Sequence, residues 1–169
     1  MSAGFVVRPG VVMTVAHAVR EATKVSVDGQ VAEVVAIDDR MDAALLRWPG
    51  GPDRQVVFAP PSVGAAVGVL RWSHDRVQRI DAMITTVAPI DYSDLRLHTE
   101  YLRDGVLIDH ESRPGDSGAP VVDGDGSVVG MLFASRVGDT AQGFALASSE
   151  MQALIAAGPS ANPWVGSCS

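Results

Sequence analysis

The chain has 169 residues, a formal net charge of −7 at pH 7 and 47% hydrophobic residues. That hydrophobic fraction is ordinary for a globular protein and too high for a disordered one, and the length suits one domain or two tightly packed halves. Lys and Arg total 13 against 20 Asp and Glu and form no cluster, so we expect no nucleic-acid partner. No apolar run approaches the roughly 18–20 residues of a membrane span.

The sole cysteine is Cys168, which excludes an intrachain disulfide and an all-cysteine zinc site. No spacing of His or Cys fits a zinc site either, so we expect neither a metal nor another cofactor. The N-terminus lacks the charged and apolar regions of a signal peptide. The chain as given is therefore predicted to be cytoplasmic or part of something longer, and the strand-like segment that begins at Phe5 favours the second.

Most apolar segments are short, β-branched and bounded by Gly, Pro or Asp, which is typical of strands. They lie at residues 5–7, 25–27, 30–37, 43–46, 67–70, 80–87, 106–108, 120–122, 128–133 and 143–147. About ten such strands at close spacing predict an all-β pair of antiparallel barrels or sandwiches. Asp-Gly-Asp-Gly at residues 123–126 predicts a hairpin turn. The Pro- and Gly-rich residues 49–62 predict a linker between halves spanning residues 1–58 and 62–169.

One helix is predicted near the C-terminus, from Ser149 to about Ala156, because Met151, Leu154 and Ile155 recur at helical spacing. Ser148 or Ser149 is expected to cap its first turn. Gly-Pro at residues 158–159 is expected to end it.

Residues 113–120 read Arg-Pro-Gly-Asp-Ser-Gly-Ala-Pro and are the most informative segment. A nucleophilic serine needs an exposed hydroxyl on a tight turn, with backbone N–H groups free to face the oxyanion. Ser117 fits the nucleophile, and the N–H groups of Gly115 and Ser117 are the natural donors of an oxyanion hole. The alternative is a surface turn, because Gly, Asp and Ser favour turns on their own.

His17 ends an apolar stretch, and Asp42 leads directly into the apolar run at residues 43–46. A histidine titrates near neutrality and suits a general base. A partly buried carboxylate needs a partner, and Asp42 would orient the His17 ring. The alternatives are a core histidine and an ordinary turn aspartate, and Asp38 and Asp39 are rivals that do not abut the apolar run.

The chain order His17, Asp42, Ser117 is the order of chymotrypsin-type serine proteases and differs from those of subtilisins and α/β-hydrolases. The local motifs are Thr-Val-Ala-His at residues 14–17, Asp-Ala-Ala-Leu-Leu at 42–46 and Gly-Asp-Ser-Gly-Ala-Pro at 115–120. They resemble the trypsin-like (chymotrypsin-fold) serine peptidases from about Gly4 to Ile155. The resemblance implies two six-stranded antiparallel β-barrels, a catalytic triad in the cleft between them, and a protein or peptide substrate.

Two features depart from that family. No Ile-Val-Gly-Gly-like segment is present, so Asp116 has no new N-terminal ammonium to pair with and activation must differ. Little precedes Gly4, so the first strand of the first barrel is expected to be missing, which exposes a sheet edge.

The C-terminal part resembles MarP-like actinobacterial proteases in the segments 129–135, 138–140, 143–146 and 165–169. That resemblance implies an extracytoplasmic protease in the cell envelope with a membrane domain upstream. It also implies that Cys168 pairs with a cysteine that lies before Met1.

The family's pocket geometry implies that Glu111, six residues before Ser117, forms the pocket floor. Walls come from Phe133, Ala134 and Ser135, with Gly143 opposite. A carboxylate at the floor favours Arg or Lys at the cleaved position, whereas a Glu111 that faces solvent or pairs with Arg113 removes that preference. His74, His98 and His110 are expected to be loop, surface or core residues.

Two other functions remain open. A catalytically silent module of the same fold would bind peptides by adding a strand to its open edge, although it has no reason to keep the three residues together. The other open function is that of a protease domain within a cytoplasmic regulatory protein.

Overall fold

A computed structural model of the chain describes residues 2–73, 75–94, 99–136 and 141–158. Five N-terminal strands form one antiparallel sheet in the order β1-β2-β5-β4-β3, and their bounds are β1 Gly4–Arg8, β2 Val11–Val15, β3 Val25–Val27, β4 Gln30–Asp38 and β5 Ala43–Arg47. Among the described residues this sheet has two unpaired edges, β1 and β3, where the family resemblance implies a closed six-stranded barrel.

Six further strands close into the expected second barrel, in the order β10-β11-β8-β7-β6-β9. Their bounds are β6 Ala66–Ser73, β7 Arg76–Asp94, β8 Thr99–Ile108, β9 Pro120–Val122, β10 Val128–Arg136 and β11 Gln142–Ala147. The all-β prediction with two antiparallel β units is thus confirmed. The strand predicted at residues 80–87 is longer than expected: β7 has 19 residues because it pairs with β8 out to Asp94 and Thr99.

One core joins the two sheets. Val15 and Leu45 of the first sheet lie in the same buried cluster as Met131 and Phe133 of the barrel. Close packing of these side chains fixes the first sheet against the barrel, so that residues from both can share one site.

The C-terminal helix α1 (Ser148–Ala157) buries Met151 and Leu154 as its spacing predicts. The predicted serine cap is wrong, because no side chain caps the helix and the Ser148 hydroxyl donates to the carbonyl of Ala59 at 2.8 Å. The predicted stop is confirmed at Gly158, which has φ 61° and donates its N–H to the Leu154 carbonyl. Pro159 lies outside the described residues.

The hairpin predicted at residues 123–126 is present between β9 and β10, where the Asp123 N–H donates to the Ser127 carbonyl at 3.0 Å. His74, His98 and Cys168 lie outside the described residues, as do the segments 138–140 and 165–169 that contribute to the MarP-like resemblance. Within the part of the chain that is described, no helix combines the length and the apolar content needed to cross a membrane.

Candidate active site

His17 lies in a short 3₁₀ helix (Ala16–Ala18) that follows β2. Asp42 immediately precedes β5, the strand that pairs with β2. Asp42 contacts His17 at two points: Oδ2 lies 2.7 Å from the ring Nδ1, and Oδ1 accepts the backbone N–H at 2.9 Å. The carboxylate is buried, whereas 45% of the His17 side chain is exposed. This arrangement fixes the ring and leaves its other edge accessible.

Asp42 adopts φ 50°, in the left-handed region that non-glycine residues rarely enter. Its carbonyl accepts the Ala16 N–H at 3.0 Å. The rival carboxylates have other partners: Asp38 accepts backbone N–H groups of the following turn, and Asp39 forms an ion pair with Arg20. The structure therefore brings Asp42, and neither rival, into hydrogen-bond contact with His17.

Ser117 lies in a tight turn before β9. The turn is closed by hydrogen bonds from Asp116 N–H to the Arg113 carbonyl and from Ala119 N–H to the Asp116 carbonyl. Gly115 has φ 101°, and a Cβ there would meet no atom within 4 Å. Among the described residues, neither Gly115 N–H nor Ser117 N–H donates a hydrogen bond, so both remain available to an incoming oxygen.

The residue that precedes β1 supports this turn directly. The Ala3 N–H donates to the Ser117 carbonyl at 2.8 Å. Thr14, on the strand that leads to His17, donates from Oγ1 to the Ala3 carbonyl at 2.6 Å. Gly118 is required here, because its φ is 91° and a Cβ would lie 2.1 Å from the Ala3 oxygen. Sequence reasoning did not foresee the contact between Ala3 and Thr14, because it joins segments that are separate in the chain.

A charged cluster centred on the buried Asp116 lies beside the nucleophile. Arg71 on β6 donates to both carboxylate oxygens of Asp116, from Nε at 2.7 Å and from Nη2 at 2.5 Å. The Arg113 N–H donates to the same carboxylate at 2.8 Å, and the Nε2 atom of the buried His110 lies 3.5 Å from it. Asp116 thus pairs with a cation from within the domain. A charged Arg71 in an otherwise apolar strand was the available sequence signal.

The cluster changes the protonation of its members. Burial disfavours the ionised form of Asp116, but the Arg71 guanidinium and the Arg113 N–H outweigh it and hold the pKa of this carboxyl below its ordinary value. The hydrogen bond to Asp116 raises the pKa of Arg71. Burial lowers the pKa of His110, despite the nearby Asp116 carboxylate. The native cluster therefore favours charged Asp116, charged Arg71 and neutral His110.

A cavity of about 50 Å³ adjoins Ser117. It is lined by Ser112, Arg113, Asp116, Ser117, Leu132, Ala134 and Ser135. Two predicted wall residues, Ala134 and Ser135, are thus beside the nucleophile. Within the described part of the chain, the buried Ser112 hydroxyl has no hydrogen-bond partner.

The other predicted pocket residues are not among those that line this cavity. Glu111 is exposed, and its carbonyl accepts from Arg71 Nη2 at 3.2 Å. Phe133 is buried, with the Arg103 guanidinium 4.8 Å from its ring centre. Gly143 is buried opposite Ser135 in the β10–β11 register. No group of three or more His, Cys, Asp or Glu side chains among the described residues could hold a metal ion.

Comparisons with known proteins identify the family of this chain. The trypsin-like peptidase domain family matches residues 2–131. The serine protease Rv3671c of Mycobacterium tuberculosis H37Rv is 34% identical over 164 residues, which cover 90% of this chain and 41% of that protein. The chain therefore spans less than half the length of that relative. As Rv3671c is a MarP-like protease, the resemblance to MarP-like actinobacterial proteases is confirmed.

Solved structures show the same fold. The active form of the M. tuberculosis Rv3671c protease superposes with a TM-score of 0.82 at 31% identity, covering 92% of this chain and 72% of that one. The MamO protease domain of Magnetospirillum magneticum superposes with a TM-score of 0.70 at 19% identity, covering 90% and 87%, and this likeness concerns the fold alone. The chain belongs to the trypsin-like peptidase domain family of serine proteases.

Proposed function

We propose that this domain is a serine endopeptidase that hydrolyses peptide bonds through an acyl-enzyme. Ser117 Oγ forms a bond to the scissile carbonyl carbon while its proton passes to His17 Nε2. The C–N bond then breaks as His17 returns that proton to the leaving amine. Water repeats the two proton transfers, breaks the acyl ester and releases the second product, so that the enzyme is restored.

The observation that supports this function best is the two-point contact between His17 and Asp42. An Nδ1–Oδ2 distance of 2.7 Å indicates that Nδ1 bears the proton, which leaves Nε2 free to accept one from Ser117. The buried carboxylate also stabilises the imidazolium that forms when His17 takes the proton.

The turn of Ser117 supplies the second component. In this proposal the free N–H groups of Gly115 and Ser117 donate to the oxyanion of the tetrahedral intermediate. Donors of this kind accelerate acyl transfer because they are oriented before negative charge develops on the oxygen, and one such donor is worth about 10²–10³-fold in kcat.

The cavity beside Ser117 favours a small, uncharged side chain at the cleaved position. Its volume is about 50 Å³, far below the roughly 150 Å³ that accommodates benzene in an apolar protein cavity. Asp116 lines the cavity but is already neutralised by Arg71, and Glu111 is exposed outside it. No unpaired carboxylate of the described cavity lining is therefore left for an Arg or Lys side chain.

The proposed substrate is a protein or peptide. The MarP-like resemblance supports an extracytoplasmic location in the cell envelope, with a membrane domain in another part of the full-length protein. A peptide-binding module without activity is the second candidate, and the open edges β1 and β3 favour it because an extended peptide could pair with either.

Labelling with a fluorophosphonate probe tests the function, since the probe reacts with a serine that is activated as a nucleophile. We expect the native domain to be labelled and Ser117→Ala to be unlabelled. Ser62→Ala, at an exposed position in the linker, is the matched control and should be labelled as the native domain is. The proposal is contradicted if Ser117→Ala is labelled, or if the folded native domain is not labelled.

A further inference from the structure

Strand β8 buries a charge and exposes an apolar side chain. Arg103 is 2% exposed, whereas its neighbour Leu102 is 70% exposed. Successive side chains of a strand face opposite sides, so a register shifted by one residue would bury the leucine instead. Burying an arginine is costly unless its charge and donors are compensated, so its contacts must favour the observed register.

Arg103 connects the second barrel to the turn that precedes β5. Its Nη1 donates to the Met41 carbonyl at 2.6 Å, and its guanidinium lies 4.8 Å from the ring centre of Phe133 on β10. A charge-assisted hydrogen bond and a cation–π contact together orient a planar guanidinium firmly.

The Met41 carbonyl belongs to the peptide unit that leads into Asp42. Rotation of this unit would carry the carbonyl away from Arg103 and change φ of Asp42, which is 50°. The left-handed region disfavours L-residues with a Cβ atom, although aspartate enters it more readily than most, and contacts such as the Arg103 hydrogen bond favour its retention. The Arg103 hydrogen bond opposes the rotation that would release Asp42.

We propose that Arg103 is a positioning residue for the Asp42 carboxylate. By fixing the peptide unit between Met41 and Asp42, it holds Asp42 in the conformation from which the carboxylate contacts both the N–H and the Nδ1 of His17. The role of this contact in turnover rests on the proposed function, whereas the geometric coupling between Arg103 and His17 does not.

The first test is the kinetics of Arg103→Met, which keeps an unbranched apolar stem and removes the guanidinium with its charge and donors. We expect kcat on a peptide substrate to fall by about 10- to 100-fold, the scale of a small misplacement of catalytic groups, while KM stays within about twofold because Arg103 lies outside the cavity lining. Arg47→Met is the matched control: Arg47 is exposed and pairs with Glu33, and its loss should leave kcat unchanged.

A double-mutant experiment with Asp42 distinguishes a positioning role of Arg103 from a general loss of structure. In an Asp42→Asn background, Arg103→Met should lower kcat by less than about twofold, because the group it positions no longer acts. An equal loss in both backgrounds would show that Arg103 acts elsewhere and would overturn the proposal.

Proton NMR tests the geometry without using turnover. The far-downfield resonance of the His17 Nδ1 proton reports its short hydrogen bond to Asp42. We expect the resonance to shift or broaden in Arg103→Met and to be unchanged in Arg47→Met. If the native domain has no peptidase activity, the proposed function fails, yet this spectrum still decides whether Arg103 positions Asp42.

Arg103→Lys tests the positioning role if Arg103→Met does not fold. An ammonium is a single point donor and cannot both reach the Met41 carbonyl and stack on Phe133 as a guanidinium does. We expect an intermediate loss of kcat and an intermediate spectral change. A folded lysine variant with the native kcat and the native His17 resonance would overturn the proposal.

Discussion

Arg71 and the buried Asp116 form a two-point ion pair beside Ser117, with Nε 2.7 Å from Oδ1 and Nη2 2.5 Å from Oδ2. The cation comes from β6, within the same domain. The turn that presents Ser117 is therefore supported by an internal charge, and we expect its conformation not to require a newly formed N-terminal ammonium.

Arg71→Met should destabilise the domain and lower kcat. It leaves the Asp116 carboxylate buried without its cation, which typically costs about 3–5 kcal/mol of unfolding free energy. The Gly115–Ser117 turn would also lose a support. Denaturant unfolding and peptide hydrolysis measure the two effects.

Two variants make this prediction specific. Arg79→Met removes a half-exposed arginine whose partner Asp81 is almost fully exposed, and it should change the unfolding free energy by less than about 0.5 kcal/mol. Adding Asp116→Asn to Arg71→Met should recover part of the stability, because no unpaired charge remains. If the double variant is less stable than Arg71→Met, the ion pair is not the source of the loss.

His110 should make the domain sensitive to mild acid. Burial lowers its pKa below 6.5 in the native state. Just below pH 6.5, His110 is therefore protonated in the unfolded chain and still neutral in the native domain. The associated stability is complete above pH 6.5 and is lost as pH falls through the lower native pKa. Unfolding free energies measured from about pH 8 to pH 5 should decrease through this window.

His110→Phe separates this contribution from that of Asp116. The pKa of Asp116 is lowered from 3.8, so its own contribution is lost only at more acidic pH. The phenylalanine variant should therefore show a smaller decrease between about pH 6.5 and pH 5 than the native domain. An identical pH dependence would show that other groups cause it.

Gly115→Ala should reduce turnover more than its cost in stability explains. Alanine at φ 101° carries roughly 1–2 kcal/mol of backbone strain. Relief of that strain would rotate the Gly115 N–H away from the developing oxyanion. Gly126, in the β9–β10 hairpin, has φ 84° and equally open space. Gly126→Ala should cost similar stability and leave kcat unchanged, so equal kinetic losses in both variants would refute the role of Gly115.

A peptide library should show preference for small, uncharged residues at the cleaved position. The preference should persist in Glu111→Gln, since Glu111 is exposed and does not line the cavity. Ala134→Leu should narrow the cavity and depress cleavage after valine more than after alanine. A native preference for Arg or Lys that disappears in Glu111→Gln would instead support Glu111 as the pocket floor.

The sequence was sufficient for the fold because turn residues and apolar alternation are local signals, as at the hairpin before β10. It also placed Ser117, His17 and Asp42 in separate local motifs. It could not show that Arg71 pairs with Asp116, or that Arg103 lies inside while Leu102 faces solvent. Those outcomes depend on strand register and on contacts between segments that are remote in the chain.

Sequence alone also could not reveal the actual partner of Ser148. A serine before an amphipathic run predicts a cap, but the linker carbonyl of Ala59 provides a competing acceptor. The hydroxyl of Ser148 forms a tertiary hydrogen bond to a residue 89 positions away in the chain instead of capping the helix.

The close approach of Ala3 to Gly118 has a consequence for recognising degenerate relatives of this domain. A side chain at position 118 is barred by the backbone oxygen of Ala3, 2.1 Å from where Cβ would lie, whether or not any substrate is present. In a descendant that lost its nucleophile through mutation, a side chain at this position would still require the Ala3 backbone to move. The constraint on position 118 is therefore structural and independent of whether Ser117 is retained.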